Sequence, residues 1–272
     1  MLSRVHHVGL VVRQLADGLA LWRDRFGLEV AKQATIEDQG VRAALLPIGN
    51  SEIELLEPLC SDTGVARFLA KRGEGLHHVC LENDDVAADL AAARERGLPL
   101  IDERPRPGLA GQICFLHPKG TRGALVEFAQ PPAGEHHPAP ARSGPLAGLS
   151  LHEVTMQTRE AATATQLFAE AFALRRATVA APCGLIAEAV SAGGVHLVFL
   201  AADAHSASGE TAAFRSRIEA AGAGLLGLVL TVRAIDAATA ALEALDPVEV
   251  ASRGVTLSTS RCHGVPIVVR AI

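Results

Sequence analysis

Two histidine doublets stand in short apolar runs, V-H-H-V-G-L-V (5–11) and L-H-H-V-C-L-E (76–82). Neighbouring side chains of a strand point to opposite faces, so one imidazole of each doublet reaches a shared site. His7, Gly9 and Val11 share one face, and His78, Cys80 and Glu82 share another. Two carboxylates have comparable settings: Glu54 in S-E-I-E-L-L-E-P (51–58) and Glu127 in G-A-L-V-E-F-A-Q (123–130). Burying a carboxylate in an apolar strand is costly unless a charge pairs with it. Converging from four strands, His7, Glu54, His78 and Glu127 would make a nitrogen and oxygen site for a divalent cation. With no thiolate in the set, Zn, Co, Ni, Mn or Fe(II) fits better than a structural cysteine site.

The elements around these residues repeat. R-V-H-H-V-G-L-V-V followed by L-A-D-G-L-A-L-W-R-D-R-F-G is a strand and then an amphipathic helix, and L-H-H-V-C-L-E-N-D followed by D-V-A-A-D-L-A-A-A-R-E-R-G is another. Gly27 and Gly97 stand where helix C-cap glycines belong. Short strand-like pieces come after each helix: V-R-A-A-L-L-P and S-E-I-E-L-L-E-P, then Q-I-C-F-L-H-P and G-A-L-V-E-F-A-Q. The order is βαβββ, twice.

Residues 131–148, P-P-A-G-E-H-H-P-A-P-A-R-S-G-P-L-A-G, have linker composition. The two sides of this linker resemble each other. Residues 4–30 lie over 150–176 at one constant offset, aligning Trp22 with Phe168, Phe26 with Phe172 and Leu28 with Leu174. Residues 75–100 lie over 224–249. This is a tandem duplication. It predicts an α+β fold of four βαβββ modules in two domains, 1–130 and 149–272, joined by a linker over 131–148.

Composition narrows the function classes. The 272 residues carry a formal net charge of −5, which leaves no basic footprint for nucleic acid or an anionic membrane. Aromatic residues are 3% and Tyr is absent, so acid and base work falls to other groups, and a base-stacking surface is not expected. The five cysteines (60, 80, 114, 183, 262) form no C-x-x-C, and most of them sit in apolar strand-like runs and read as small core residues. The N-terminal apolar run is too short and interrupted for a signal peptide, no stretch is long enough to span a bilayer, and the expected location is the cytoplasm.

The first half resembles the vicinal oxygen chelate superfamily (glyoxalase, bleomycin resistance and dioxygenase proteins), and within it the methylmalonyl-CoA epimerase branch. The blocks that carry the resemblance are V-H-H-V-G-L-V-V (5–12), Q-G-V (39–41), G-N-S-E-I-E-L-L-E-P-L (49–59), G-L-H-H-V-C-L-E (75–82), F-L-H-P-K-G (115–120) and G-A-L-V-E-F (123–128). The resemblance puts His7, His78 and Glu127 on the family's metal ligands and Glu54 on a fourth ligand position. It implies a metal-dependent epimerase or isomerase acting through an enolate on a small acyl-CoA or related α-acidic carbonyl compound. The metal would be Co, Mn, Zn, Ni or Fe(II). The base that some relatives place just after Q-G-V is Ala43 here, which leaves Glu54 or Glu127 to move the proton. Asp38 and Glu82 are weaker candidates. Lys119 could hold a CoA phosphate or a substrate carboxylate, and His117 would fix the turn that carries it.

In the second half Glu153 aligns with His7, His196 with Glu54, Gly227 with His78, and Val268 and Val269 with Glu127. No working metal centre is expected there. The degenerate copy would act as a built-in partner, giving a monomer that is a fused pseudo-dimer, or else a homodimer. Three other functions fit the same residues: a glyoxalase I-like lyase, an Fe(II) extradiol-type dioxygenase, and a small-molecule binding protein without catalysis.

Overall fold

A computed structural model describes residues 4–135, 143–245, 247–251 and 254–272. The centre of the 131–148 linker, with His136 and His137, lies outside the described residues.

Strand β1 (Val5–Val11) is buried along its whole length. Val8 and Leu10 on one face join the main core, and Val11 on the other joins a second apolar cluster. With both faces covered, the strand is apolar except where the site needs a polar group. After β1 come helix α1 (Leu15–Leu19), continued by a π-helical turn over Ala20–Arg25, and strands β2 (Lys32–Ile36), β3 (Val41–Ile48) and β4 (Ser51–Pro58).

The link between the modules holds α2 (Gly64–Arg72), capped by Thr63 Oγ1 accepting from Ala66 N at 3.0 Å. The sequence reading has no helix here. It is only nine residues long, although Val65, Phe68 and Leu69 stand at helical spacing and pack on the second apolar cluster. The second module holds β5 (Gly75–Glu82), α3 (Val86–Glu95), β6 (Arg106–Gly108), β7 (Gly111–Leu116) and β8 (Val126–Gln130). Gly27 and Gly97 both take the left-handed conformation, at φ 69° and 71°, where a helix of each module ends.

The second half repeats the plan. Its strands are β9 (Ser150–Gln157), β10 (Arg175–Ala177), β11 (Leu185–Ala192), β12 (Val195–Ala202), β13 (Gly224–Val232), β14 (Pro247–Ala251), β15 (Gly254–Leu257) and β16 (Ile267–Ala271). Its helices are α4 (Ala161–Ala171), α5 (Gly209–Ala221) and α6 (Ile235–Leu242). The described strands form two eight-stranded sheets of matching order, β2-β3-β4-β1-β5-β8-β7-β6 and β10-β11-β12-β9-β13-β16-β15-β14. The fold is α+β, with βαβββ modules in both halves.

The halves share one apolar core. Trp22 stacks on Phe26 with ring centroids 5.0 Å apart, and Phe128 of the first sheet meets Phe172 of the second half edge-on at 5.7 Å. All four rings belong to a single buried cluster. Burying each such ring contributes about 1.5–3 kcal/mol. Polar contacts cross the same boundary: Asn50 Nδ2 donates to Gly193 O at 3.1 Å, and His263 Nδ1 lies 3.2 Å from Glu74 Oε1. Among the described residues, no helix is long and apolar enough to cross a membrane.

Candidate metal centre

Four strands of the first sheet deliver the site. In the β1–β4 ladder Gly9 lies opposite Glu54, and in the β1–β5 ladder Gly9 lies opposite His78. In the β5–β8 ladder Cys80 lies opposite Glu127. The glycine is a requirement of the site. A Cβ at Gly9 would stand 2.2 Å from Cε1 of His78, so the imidazole lies across β1 only because no side chain is there.

Strict alternation does not hold at the doublets. The β1–β5 ladder is bulged twice, leaving His6 as the extra residue between Val5 and His7, and His77 as the extra residue between Leu76 and His78. Each doublet therefore sits side by side: His6 Nδ1 is 2.9 Å from His7 Nδ1, and His77 Nδ1 is 3.0 Å from His78 Nδ1. One imidazole of each doublet joins the four-residue group, as the sequence reading expects, while the bulges set the other alongside it instead of on the opposite face.

The four expected ligands do come together. His7, Glu54, His78 and Glu127 are all buried and each brings one donor atom within 4.8 Å of the others. His7 Nε2 is 2.9 Å from His78 Nε2. Glu127 Oε2 lies 2.9 Å from His7 Nε2 and 3.0 Å from His78 Nε2. Glu54 Oε2 stands farther off, at 3.5 and 3.3 Å from the same two nitrogens. A cation with ligand bonds of about 2.0–2.2 Å sets its donor atoms roughly 3 Å apart. The donor set thus fits a divalent metal in spacing and in kind. Glu127 Oε2 is also a buried acceptor without a hydrogen bond of good geometry, a need that a cation would meet.

The electrostatics are those of a closely paired group. Burial alone would lower the pKa of His78, but the Glu127 carboxylate 3.0 Å away, and then Glu54, raise it to about 9. Burial pushes Glu127 up, and the opposing pull of His78 and His7 holds it well below the usual carboxylate range. His77, half-buried at the cavity wall and beside His78, is pushed down to about 3, by desolvation first and then by the His78 charge. Burial first, and then Glu127 and Glu54, push the Cys80 thiol well above its ordinary value, so it stays protonated beside the ligands.

The centre opens into a cavity of about 820 Å³, within the range of small-molecule sites. Glu54, His78 and Glu127 line its floor, and Val41, Leu56, Leu109, Ile113 and Phe115 make apolar walls. Arg67, Lys71 and Arg72 of α2 and Arg106 of β6 also line it. Sequence reasoning misses these cations. The signal is the pairing of Arg67 with Lys71 four residues on, which becomes one face only once 64–72 is known to be helical.

The remaining candidates divide. Lys119 is exposed and is not among the cavity's lining residues. His117 fixes its turn as expected, its Nδ1 accepting from Lys119 N at 3.1 Å. Glu82 is engaged by Arg4 at 2.6 Å, while Asp38 lines the cavity. Ala43 faces the apolar cluster beside the cavity and offers no proton acceptor.

The second sheet corrects one equivalence. His7 lies opposite Glu52 and Gly9 opposite Glu54, whereas Glu153 lies opposite His196 and Thr155 opposite Val198. His196 therefore stands at the place of Glu52, and Val198 at that of Glu54. The slip is two residues, which preserves the face of every side chain and so escapes period-two reasoning. Gly227 and Val268 occupy the places of His78 and Glu127. His152, Glu153 and His196 do cluster, but the guanidinium of Arg270 is paired with Glu153 and neutralises the carboxylate a cation would need.

Residues 6–116 match the family described as Glyoxalase/Bleomycin resistance protein/Dioxygenase superfamily. Mitochondrial methylmalonyl-CoA epimerase of Bos taurus is 34% identical over 131 residues, 47% of this chain and 75% of that protein. Ethylmalonyl-CoA/methylmalonyl-CoA epimerase of Cereibacter sphaeroides is 35% identical over 133 residues, 48% of this chain and 99% of that protein. A solved variant of Streptomyces coelicolor methylmalonyl-CoA epimerase, in complex with 2-nitronate-propionyl-CoA, is 38% identical, covers 49% of this chain and 100% of its own, and has a TM-score of 0.48.

Proposed function

This chain belongs to the glyoxalase/bleomycin resistance/dioxygenase superfamily, and from that premise we propose that it is a metal-dependent epimerase of a methylmalonyl-CoA-like acyl-CoA. The observation that carries the reading is the cluster of His7, Glu54, His78 and Glu127, the last three of which line a cavity edged by cations. The bovine and Cereibacter epimerases support the acyl-CoA class.

Epimerising a malonyl-type thioester removes the proton at C2, between two carbonyl groups. A divalent cation held by the four side chains supplies a Lewis acid where the resulting oxyanion charge must be stabilised. The chain's own residues do the rest. Glu127, His7 and His78 form the tight part of the cluster, with separations of 2.9–3.0 Å. Glu54 is the looser member, at 3.3–3.5 Å, and it faces the cavity. With Ala43 unable to act, Glu54 is the carboxylate we assign to taking the C2 proton from one face, and a proton returned to the opposite face of C2 completes the inversion. The apolar walls exclude water from that carboxylate. The guanidinium and ammonium groups of Arg67, Lys71 and Arg72 suit the phosphates of a CoA carrier, while Arg106 is already paired with Asp102 at 3.0 Å.

The second half lends its core to the first and, among the described residues, gives no lining residue to this cavity. We assign it the role of a permanently attached partner domain.

The test is deuterium exchange at C2 of methylmalonyl-CoA in D2O, with the protein loaded with Co(II) or Mn(II). Exchange at a turnover rate supports the assignment. A protein that holds stoichiometric metal and exchanges nothing removes it.

A further inference from the structure

Both sheets carry the same pair of bulges. In the first they extrude His6 and His77 from the ladder, and in the second His152 and Leu226. Leu226 at the place of His77 shows that the bulge itself does not require an imidazole. Something other than the backbone therefore explains the histidine in the first sheet.

In the first sheet each bulge residue meets the ligand next to it in the chain, nitrogen to nitrogen. The Nδ1 separations are 2.9 Å for His6 and His7 and 3.0 Å for His77 and His78, with the rings edge-on at 85° and 80°. One nitrogen of each such pair carries the proton. The Nε2 atoms of His7 and His78 lie 2.9 Å apart and both face Glu127, so they are the ligating atoms and must be bare when a cation is held. That leaves the Nδ1 of each ligand protonated and donating. His77 is braced to receive it: the Phe68 ring meets it edge-on at 5.0 Å. Glu52 Oε2 stands 3.7 Å from His6 Nδ1, farther than the 2.9 Å to His7 Nδ1.

We infer that His6 and His77 are positioning residues, each accepting the Nδ1–H of the neighbouring ligand imidazole and so fixing its tautomer and aiming its Nε2 at the centre. The inference rests on the metal-centre reading. It makes the doublet, rather than the single histidine, the unit of the site.

Co(II) affinity, measured by competition with a chromophoric chelator, and the visible Co(II) absorption band test it. His77→Leu installs the residue the second sheet already accepts, and His77→Asn keeps an acceptor oxygen near the place of Nδ1. His6→Leu and His6→Asn form an independent pair. The Leu variants are expected to bind Co(II) roughly 10–100-fold more weakly with an altered band, and the Asn variants to recover most of that affinity. Circular dichroism of the metal-free proteins checks folding, and where one Leu variant does not fold the other doublet supplies the comparison. Leu variants that match the parent overturn the inference. So do Asn variants as weak as their Leu counterparts, which would mean a packing role. A parent protein that takes up no Co(II) removes the metal-centre reading itself, a failure visible before any variant is made.

Discussion

Gly9 and His78 are a cross-strand pair in which the absent side chain of one makes room for the imidazole of the other: a Cβ on Gly9 would fall 2.2 Å from Cε1 and 2.4 Å from Nδ1 of His78. The second sheet reverses the pair, with Thr155 opposite Gly227. Gly9→Ala is therefore expected to push the His78 ring off the centre while leaving the sheet hydrogen bonds intact. Metal affinity should fall by about tenfold or more, with the far-ultraviolet spectrum unchanged. Thr155→Gly, the mirror change, should leave metal affinity alone. Elemental analysis of both proteins decides between them, and a Gly9→Ala protein with full metal content would show that the ring relocates without loss.

The cluster in the first sheet should hold the metal alone. His78→Ala and Glu127→Ala are expected to remove bound metal, because each deletes one of the three atoms spaced 2.9–3.0 Å apart. Glu153→Gln, in the His152–Glu153–His196 group, should leave metal content unchanged, since Arg270 already pairs with that carboxylate. Stoichiometric metal retained in His78→Ala would move the centre elsewhere.

Proton competition gives the pH dependence a sign. In the metal-free protein burial pulls the His78 pKa down, and Glu127 outweighs it, raising the value from 6.5 to about 9. That raised value contributes stability that is fully present below about pH 6.5 and is lost as pH rises through 9, so the metal-free melting temperature should fall across this window. Metal binding needs the neutral imidazole, so apparent affinity should rise about tenfold per pH unit up to that point. Calorimetry in buffers of different ionisation enthalpy should find close to one proton released at about pH 7.5. No proton release would place the proton on another group.

Glu54 serves the cluster more loosely than Glu127, and this separates binding from chemistry. Glu54→Gln keeps an oxygen donor but removes the basic carboxylate. C2 exchange should drop by about 10²–10⁴-fold, the usual share of a general base, with most of the metal retained. Exchange unaffected by the change would assign the proton to another group.

The repeat, the linker composition and the four clustered side chains are legible because each is written locally: strand alternation, glycine caps, and a carboxylate stranded among apolar residues. The hidden features are relational. The bulges at His6 and His77 exist only as a mismatch between β1 and β5, and neither strand alone records it. The place of His196 depends on register between β9 and β12, where a slip of two residues leaves every face correct. Lys119, in an obvious turn, reads as the cation for an anionic ligand, while the cavity is edged by Arg67 and Lys71 of a nine-residue helix in the link between modules, whose cations share a face only once it is folded.

That helix gives the last prediction. Arg67 and Lys71 are four residues apart on α2, on the same side of the helix, and both line the cavity. Arg67 is partly engaged, donating to Asp62 O at 2.6 Å, which steadies its guanidinium at the cavity edge. If these charges meet the phosphates of a CoA carrier, replacing them removes binding that is the same in the ground and transition states. Arg67→Ala with Lys71→Ala should then raise KM for a CoA thioester by about tenfold with kcat little changed. A thioester of N-acetylcysteamine, which has no phosphates, should be processed equally by the parent and the variant, and Lys119→Ala should alter neither substrate. Equal losses on both thioesters would mean that α2 shapes the apolar cavity rather than reading the carrier, through Phe68 and Leu69, which pack beside Leu56 and Val11.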